Sequence, residues 1–346
     1  MTRRERILTA MQHREPDRVP LGFEARPQTR ERLYQHFSVT DDDGLFDAMG
    51  IDGFSVFWDS YVMPKYIGPA PAQYPEGEAN FFGILNQLVM PLAFAETVAD
   101  LDRYRWPSAD WFDYSGIAER CRAIKAKGMV TAGGEGGCGV QHAINLRGYE
   151  QALMDPLVDP DLAHAYMARM GDFFVEWNER WLSAAEGEFD FFRCGDELGG
   201  MATLHCAPEV WREFYKPQLK RIFAVAKRHG LIIWFHCCGY LRPLLDDLLE
   251  IGVDLWDPAP PNVRDNDLAA LKRQYGDRVS FVGGVNEPDI LVSGTPAQVA
   301  DEVKRRIDQL APGGGYILGP SQCFTEDVPL ENILTMYETA LAYGRY

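Results

Sequence analysis

The sequence predicts an α/β protein, a (β/α)8 TIM-type barrel with an N-terminal extension and a long proline- and aromatic-rich excursion. Three observations predict it. Short β-rich apolar runs recur eight times. Helical patterns fill most of the gaps between them. No glycine-rich phosphate loop follows an early run, as it would in a doubly wound dinucleotide-binding sheet, the alternative α/β architecture.

The eight runs are residues 19–23, 53–57, 129–132, 189–193, 231–235, 253–256, 279–282 and 316–318. The first is the weakest strand candidate. Residues 162–185 carry the apolar spacing of one long amphipathic helix. Residues 208–228 read as a second, opened by Pro208 and broken by Pro217. Residues 242–251 and 296–310 are two more. The last is preceded by Thr295, a good N-cap, with Pro296 in the first turn. Residues 59–93 hold several prolines together with Tyr61, Tyr66, Tyr74, Phe81 and Phe82, which predicts a long ordered excursion rather than a disordered linker. With no low-complexity stretch or Ser/Gly linker, residues 1–346 read as one barrel domain.

Composition narrows function. The 346 residues are 46% hydrophobic, enough for a large core. With 34 basic against 51 acidic residues the net charge is −17, which would repel nucleic acid and anionic lipid. No apolar run reaches the length of a membrane span, and no signal-peptide core follows the charged N-terminus, so a cytoplasmic location is expected. Seven scattered cysteines suit metal ligation or burial in a reducing compartment better than disulfides.

In a barrel, chemistry sits just past the C-terminal ends of the strands. Those positions hold Asp59; Gly134 and Glu135; Asp196 and Glu197; His236, Cys237 and Cys238; Asp257; Asn286 and Glu287; and Gln322 and Cys323. His236 and Cys238, two apart on an extended chain, point the same way, while Cys237 points into packing. Cys323 follows the last strand, which lies beside the first in a closed barrel. One imidazole and two thiolates are good zinc ligands, and three protein ligands with one open position is the catalytic pattern. On spacing alone a second reading stays open: small buried cysteines and a satisfied core histidine. His142 and His205, assigned to loops near the rim, are further candidates for substrate contact.

Several segments resemble the uroporphyrinogen decarboxylase superfamily. They are Thr2-Arg3-Arg4-Glu5-Arg6-Ile7-Leu8, Pro16-Asp17-Arg18-Val19-Pro20, Leu146-Arg147-Gly148-Tyr149-Glu150, and Asp196-Glu197-Leu198-Gly199 with the later Pro208 and Pro217. The resemblance covers essentially the whole chain and implies a (β/α)8 barrel. True decarboxylases open with an arginine-rich segment that binds the substrate carboxylates. Here Leu21-Gly22-Phe23-Glu24-Ala25-Arg26-Pro27 holds a single arginine, so decarboxylation is not expected. Asp59 is the position that would match the decarboxylase aspartate, with a loop or capping role as the alternative.

His236-Cys237-Cys238-Gly239 and Gly319-Pro320-Ser321-Gln322-Cys323 resemble the two signature elements of the zinc-dependent cobamide methyltransferase branch. That resemblance implies zinc on His236, Cys238 and Cys323, and a corrinoid (cobalamin) carried by a partner protein. The stretch around Arg26-Pro27 looks more like members that demethylate a methoxylated compound, the corrinoid O-demethylase type. Glu197, Asp196 or Glu135 would then supply a fourth zinc ligand or a proton. Asn286 and Gln322 would orient substrate, and Gly134 with its neighbouring glycines would let a corrin ring approach. The expected partners are a small methyl donor or acceptor, the corrinoid protein and, at most, a second copy in a homodimer. Three other functions are weighed: a thiol methyltransferase using methylcobamide, a carboxy-lyase, and a non-catalytic corrinoid-binding barrel.

Overall fold

The computed structural model describes residues 1–53, 61–69 and 90–346. These form two compact units, each drawn from separate stretches of chain. One comprises Val62–Arg122 and Ala132–Val253; the other comprises Met1–Tyr61, Ala123–Thr131 and Asp254–Tyr346.

The first unit opens with a short antiparallel pair, β1 (Lys65–Tyr66) and β2 (Phe112–Asp113). Its main strands are β3 (Ala132–Gly133), β4 (Phe191–Gly195) and β5 (Ile232–His236), parallel and in chain order. The long expected helix is present as Pro160–Ala184, started by Asp159, whose carboxylate accepts from Leu162 N at 3.1 Å. Leu162, Tyr166, Met170, Phe174, Trp177 and Trp181 recur three or four apart and form its buried stripe. Phe112, Trp177 and Trp181 stack through centroids 4.9 Å apart, and Trp181 Nε1 donates to Val62 O at 2.9 Å. At ~25 cal/mol per Å², burying a ring system of ~200 Å² contributes on the order of 5 kcal/mol.

The region 208–228 is helical throughout, with a different break from the expected one. The middle segment Trp211–Tyr215 is a wide turn in which Lys216 N bonds Trp211 O, and Pro217 falls in the first turn of Lys216–Arg228. A wide turn just ahead of a proline relieves the clash and missing donor that would otherwise kink the helix.

The second unit holds β6 (Leu255–Asp257), β7 (Ser280–Val285) and β8 (Tyr316–Pro320), again parallel in chain order. The weak first run forms only single bridges. Leu21 pairs with Leu318 and Ala25 with Phe324, both parallel, which lays it beside β8 as barrel closure requires. The second run lies mostly outside the described residues, as does most of the proline-rich excursion. Helix Pro296–Leu310 starts at Thr295 in a reciprocal capping box with Gln298. The strands run about two residues past the expected ends, to Gly195, His236 and Val285. Among the described residues no helix is long and apolar enough to cross a membrane.

Candidate metal centre

The parallel register of β4 and β5 sets Gly195 opposite His236 and Arg193 opposite Trp234. The ladder then continues one step past the strand, with Asp196 N donating to His236 O at 2.9 Å. From here side chains alternate. His236 and Cys238 are half-buried on one side, while Cys237 is fully buried on the other. Burial pushes the Cys237 thiol up, so it stays protonated and acts as a packing residue. On β4 the same alternation exposes Glu197 partly and buries Asp196.

Glu197, His236 and Cys238 converge. Their donor atoms all lie within 4.8 Å of one another. The Cys238 thiol donates to Glu197 Oε1 at 3.1 Å. Carboxylate, imidazole and thiol within this reach are a donor set that fits zinc. Backbone crossings hold the loops that carry them. Tyr240 N donates to Gly200 O at 2.7 Å, and His205 N to Leu198 O at 2.9 Å. At Gly239 a Cβ would come within 1.9 Å of Gly199 O, so only glycine permits this crossing.

Asp196 has a different task from its neighbour. Its two carboxylate oxygens accept from Val140 N at 3.0 Å and Gln141 N at 2.9 Å, capping helix Val140–Arg147. Burial pushes its carboxyl up to about 7 although these donors pull it down. That geometry makes it the N-terminal cap of this helix. His142 lies within this helix and not in a loop. It is buried, Nδ1 has no partner among the described residues, and burial pushes its ring down to about 4. His205 is half-buried, its Nδ1 3.1 Å from the Tyr149 hydroxyl.

Glu135 follows β3 in a wholly buried loop. Its backbone is clamped by Asn178, which accepts from Glu135 N at 2.9 Å and donates to Glu135 O at 2.8 Å. Burial pushes its carboxyl up to about 7, with Arg193 and the Gly136 N–H pulling the other way. Gly134 has a φ of +91°, and a Cβ there would strike the Phe192 ring at 2.1 Å. Tight packing of the loop on its neighbours accounts for this glycine. Arg193, which reading the strand ends passed over, is half-buried beside Glu135 and Trp234. An arginine directly after Phe191 and Phe192 in the strand was the available signal.

Three further candidates belong to the second unit. Asn286 caps the helical turns at Glu287–Val292, accepting from Asp289 N at 3.2 Å. Gln322 is exposed. Cys323, half-buried after β8, belongs to the second unit. Burial pushes its thiol up, and a hydrogen bond to Arg26 partly offsets this. Asp59 lies outside the described residues.

Parallel strands alternating with helices define the α/β barrel class, with a polar cluster at the C-terminal end of β5. The chain belongs to the uroporphyrinogen decarboxylase (URO-D) family, whose model matches residues 44–343. A methylated-thiol–coenzyme M methyltransferase from Methanosarcina mazei is 27% identical over 191 residues, 55% of this chain and 47% of that one. A methylcobamide:CoM methyltransferase from Methanosarcina barkeri is 26% identical over 127 residues, 37% of this chain and 34% of that one. The matched stretches thus span about half and about a third of those two curated relatives. A solved methyltransferase from Methanosarcina mazei covers 99% of both chains at 18% identity with a TM-score of 0.62, a likeness of fold.

Proposed function

We propose that this chain is a zinc-dependent methyltransferase that moves a methyl group between a methoxylated, aromatic substrate and a corrinoid on a partner protein. The observation that carries the proposal is the convergence of Glu197, His236 and Cys238 within 4.8 Å. Two relatives named as coenzyme M methyltransferases support methyl transfer as the reaction class. The late-cysteine motif adds Cys323 to His236 and Cys238 as the protein ligands, leaving Glu197 as the exchangeable fourth donor. Bound zinc supplies Lewis-acid polarisation of the heteroatom that carries the methyl group, and the corrinoid supplies the cobalt centre that takes the methyl group up.

The chain's own groups prepare that site. Glu197 accepts a hydrogen bond from the Cys238 thiol, so it is the base placed to take the thiol proton as Cys238 becomes a thiolate ligand. As a metal donor that carboxyl is deprotonated, and it becomes free to hold a proton for the leaving oxygen only once the substrate heteroatom has replaced it. The coenzyme M relatives favour a second reading, in which the methyl acceptor is a thiol and the same donors hold its sulfur as thiolate.

The purified protein should carry about one zinc, lost in Cys238→Ser and Cys323→Ser. It should also transfer methyl from methoxylated aromatics to cob(I)alamin, followed by visible absorbance. Full zinc in both variants refutes the ligand set. Transfer to a thiol with none from any ether replaces the first substrate reading with the second.

A further inference from the structure

Arg193 stands out in an acidic protein because it brings a permanent charge to the face that carries the proposed centre. Arg193, Gly195 and Glu197 share one side of β4, and Trp234, His236 and Cys238 share one side of β5. The Arg193 side chain is half-buried, yet its Nε is out of contact with solvent and has no hydrogen-bond partner among the described residues. Its Cζ lies 6.0 Å from the centre of the ring of Trp234, the residue directly across the register. Glu135 is an acidic group whose carboxyl that charge pulls down, against the larger upward push of burial. A buried guanidinium nitrogen without an acceptor costs free energy that an incoming anion would recover.

Two residues along a strand rise about 6.6 Å. In the Cα register Arg193 therefore lies one such step before His236, a separation close to the length of a substituted benzene ring. Resting on the methyl-transfer reading of the same site, we infer that Arg193 is a specificity-determining residue that binds a carboxylate or sulfonate on the substrate while the methyl-bearing heteroatom lies at the His236 level. The substrate is then an anion, and Trp234 forms the flat wall beside its charged end.

The test is calorimetric binding to the purified zinc-loaded protein of two matched pairs. One is para-methoxybenzoate against neutral para-methoxybenzamide; the other is a mercaptoalkane sulfonate against its neutral alcohol. Wild type should prefer the anion of one pair, and which pair identifies the source of the charge. Arg193→Met should weaken that anion about 10- to 100-fold and leave the neutral partner within about threefold. Arg193→Lys should keep the preference, and at pH 8, where the Glu135 carboxyl is ionised, Glu135→Gln should tighten anion binding by removing the nearby negative charge. Equal binding of both members of each pair by wild type, or unchanged anion binding in Arg193→Met, overturns the inference. If Arg193→Met does not fold, the wild-type preference and the Glu135→Gln response decide. Anion preference with no zinc or no methyl transfer refutes the proposed function and leaves the anion site standing.

Discussion

His142 makes the protein acid-sensitive in a way that can be isolated. The ring is buried in helix Val140–Arg147, edge-on to Phe174 at 5.9 Å, and burial alone holds its proton affinity down to about 4. The charged form is therefore disfavoured only in the folded state. The sign follows: above pH 6.5 the ring is neutral in both states and costs nothing, and as pH falls below 6.5 the unfolded chain gains a proton that the folded chain refuses. Stability is lost until the folded ring also protonates near pH 4. That gap corresponds to roughly 3 kcal/mol, of which about 2 kcal/mol is already lost at pH 5. His142→Leu removes the titration while keeping an apolar side chain against Phe174. Urea unfolding of both proteins at pH 7, 6, 5 and 4.5 should give curves that diverge below pH 6.5 with the variant retaining more stability. Curves that stay parallel over this range would show that the ring is solvated or paired, and would sink the reasoning.

Glu135 gives the opposite dependence. Its carboxyl is pushed from 4.5 up to about 7, so the folded state resists ionisation and stability falls as pH rises between those values. Glu135→Gln should therefore gain on wild type by up to about 3 kcal/mol between pH 5 and pH 8, read from urea midpoints. Gly239→Ala drives a methyl group against Gly199 O and should separate the loops bearing Glu197 and Cys238. Bound zinc should fall well below that of wild type, by metal analysis, even where circular dichroism shows the helices intact.

Periodicity made most of the strands and helices legible. The strand ends were read one to three residues short because the β-rich run was taken as the whole strand, whereas backbone ladders run on through Gly195, His236 and Val285 whatever side chains they carry. The same alternation correctly separated His236 and Cys238 from Cys237. It could not rank Asp196 against Glu197. Neighbours on an extended chain face opposite ways, and which way is settled by the N-terminus of a helix 56 residues earlier, where Val140 donates to Asp196. Arg193 escaped notice for a related reason: it lies within a strand rather than beyond its end, and its relation to Trp234 and Glu135 exists only once three distant segments meet.

The crossing at Gly199 and Gly239 separates two properties that many metal sites entangle. Main chain against main chain fixes where the loops run, so the identity of each donor is free to vary without moving its neighbours. Exchanging Glu197 for histidine or cysteine would change the softness of the donor set while the scaffold stays put. These loops are thus a socket whose donor set can be retuned one side chain at a time.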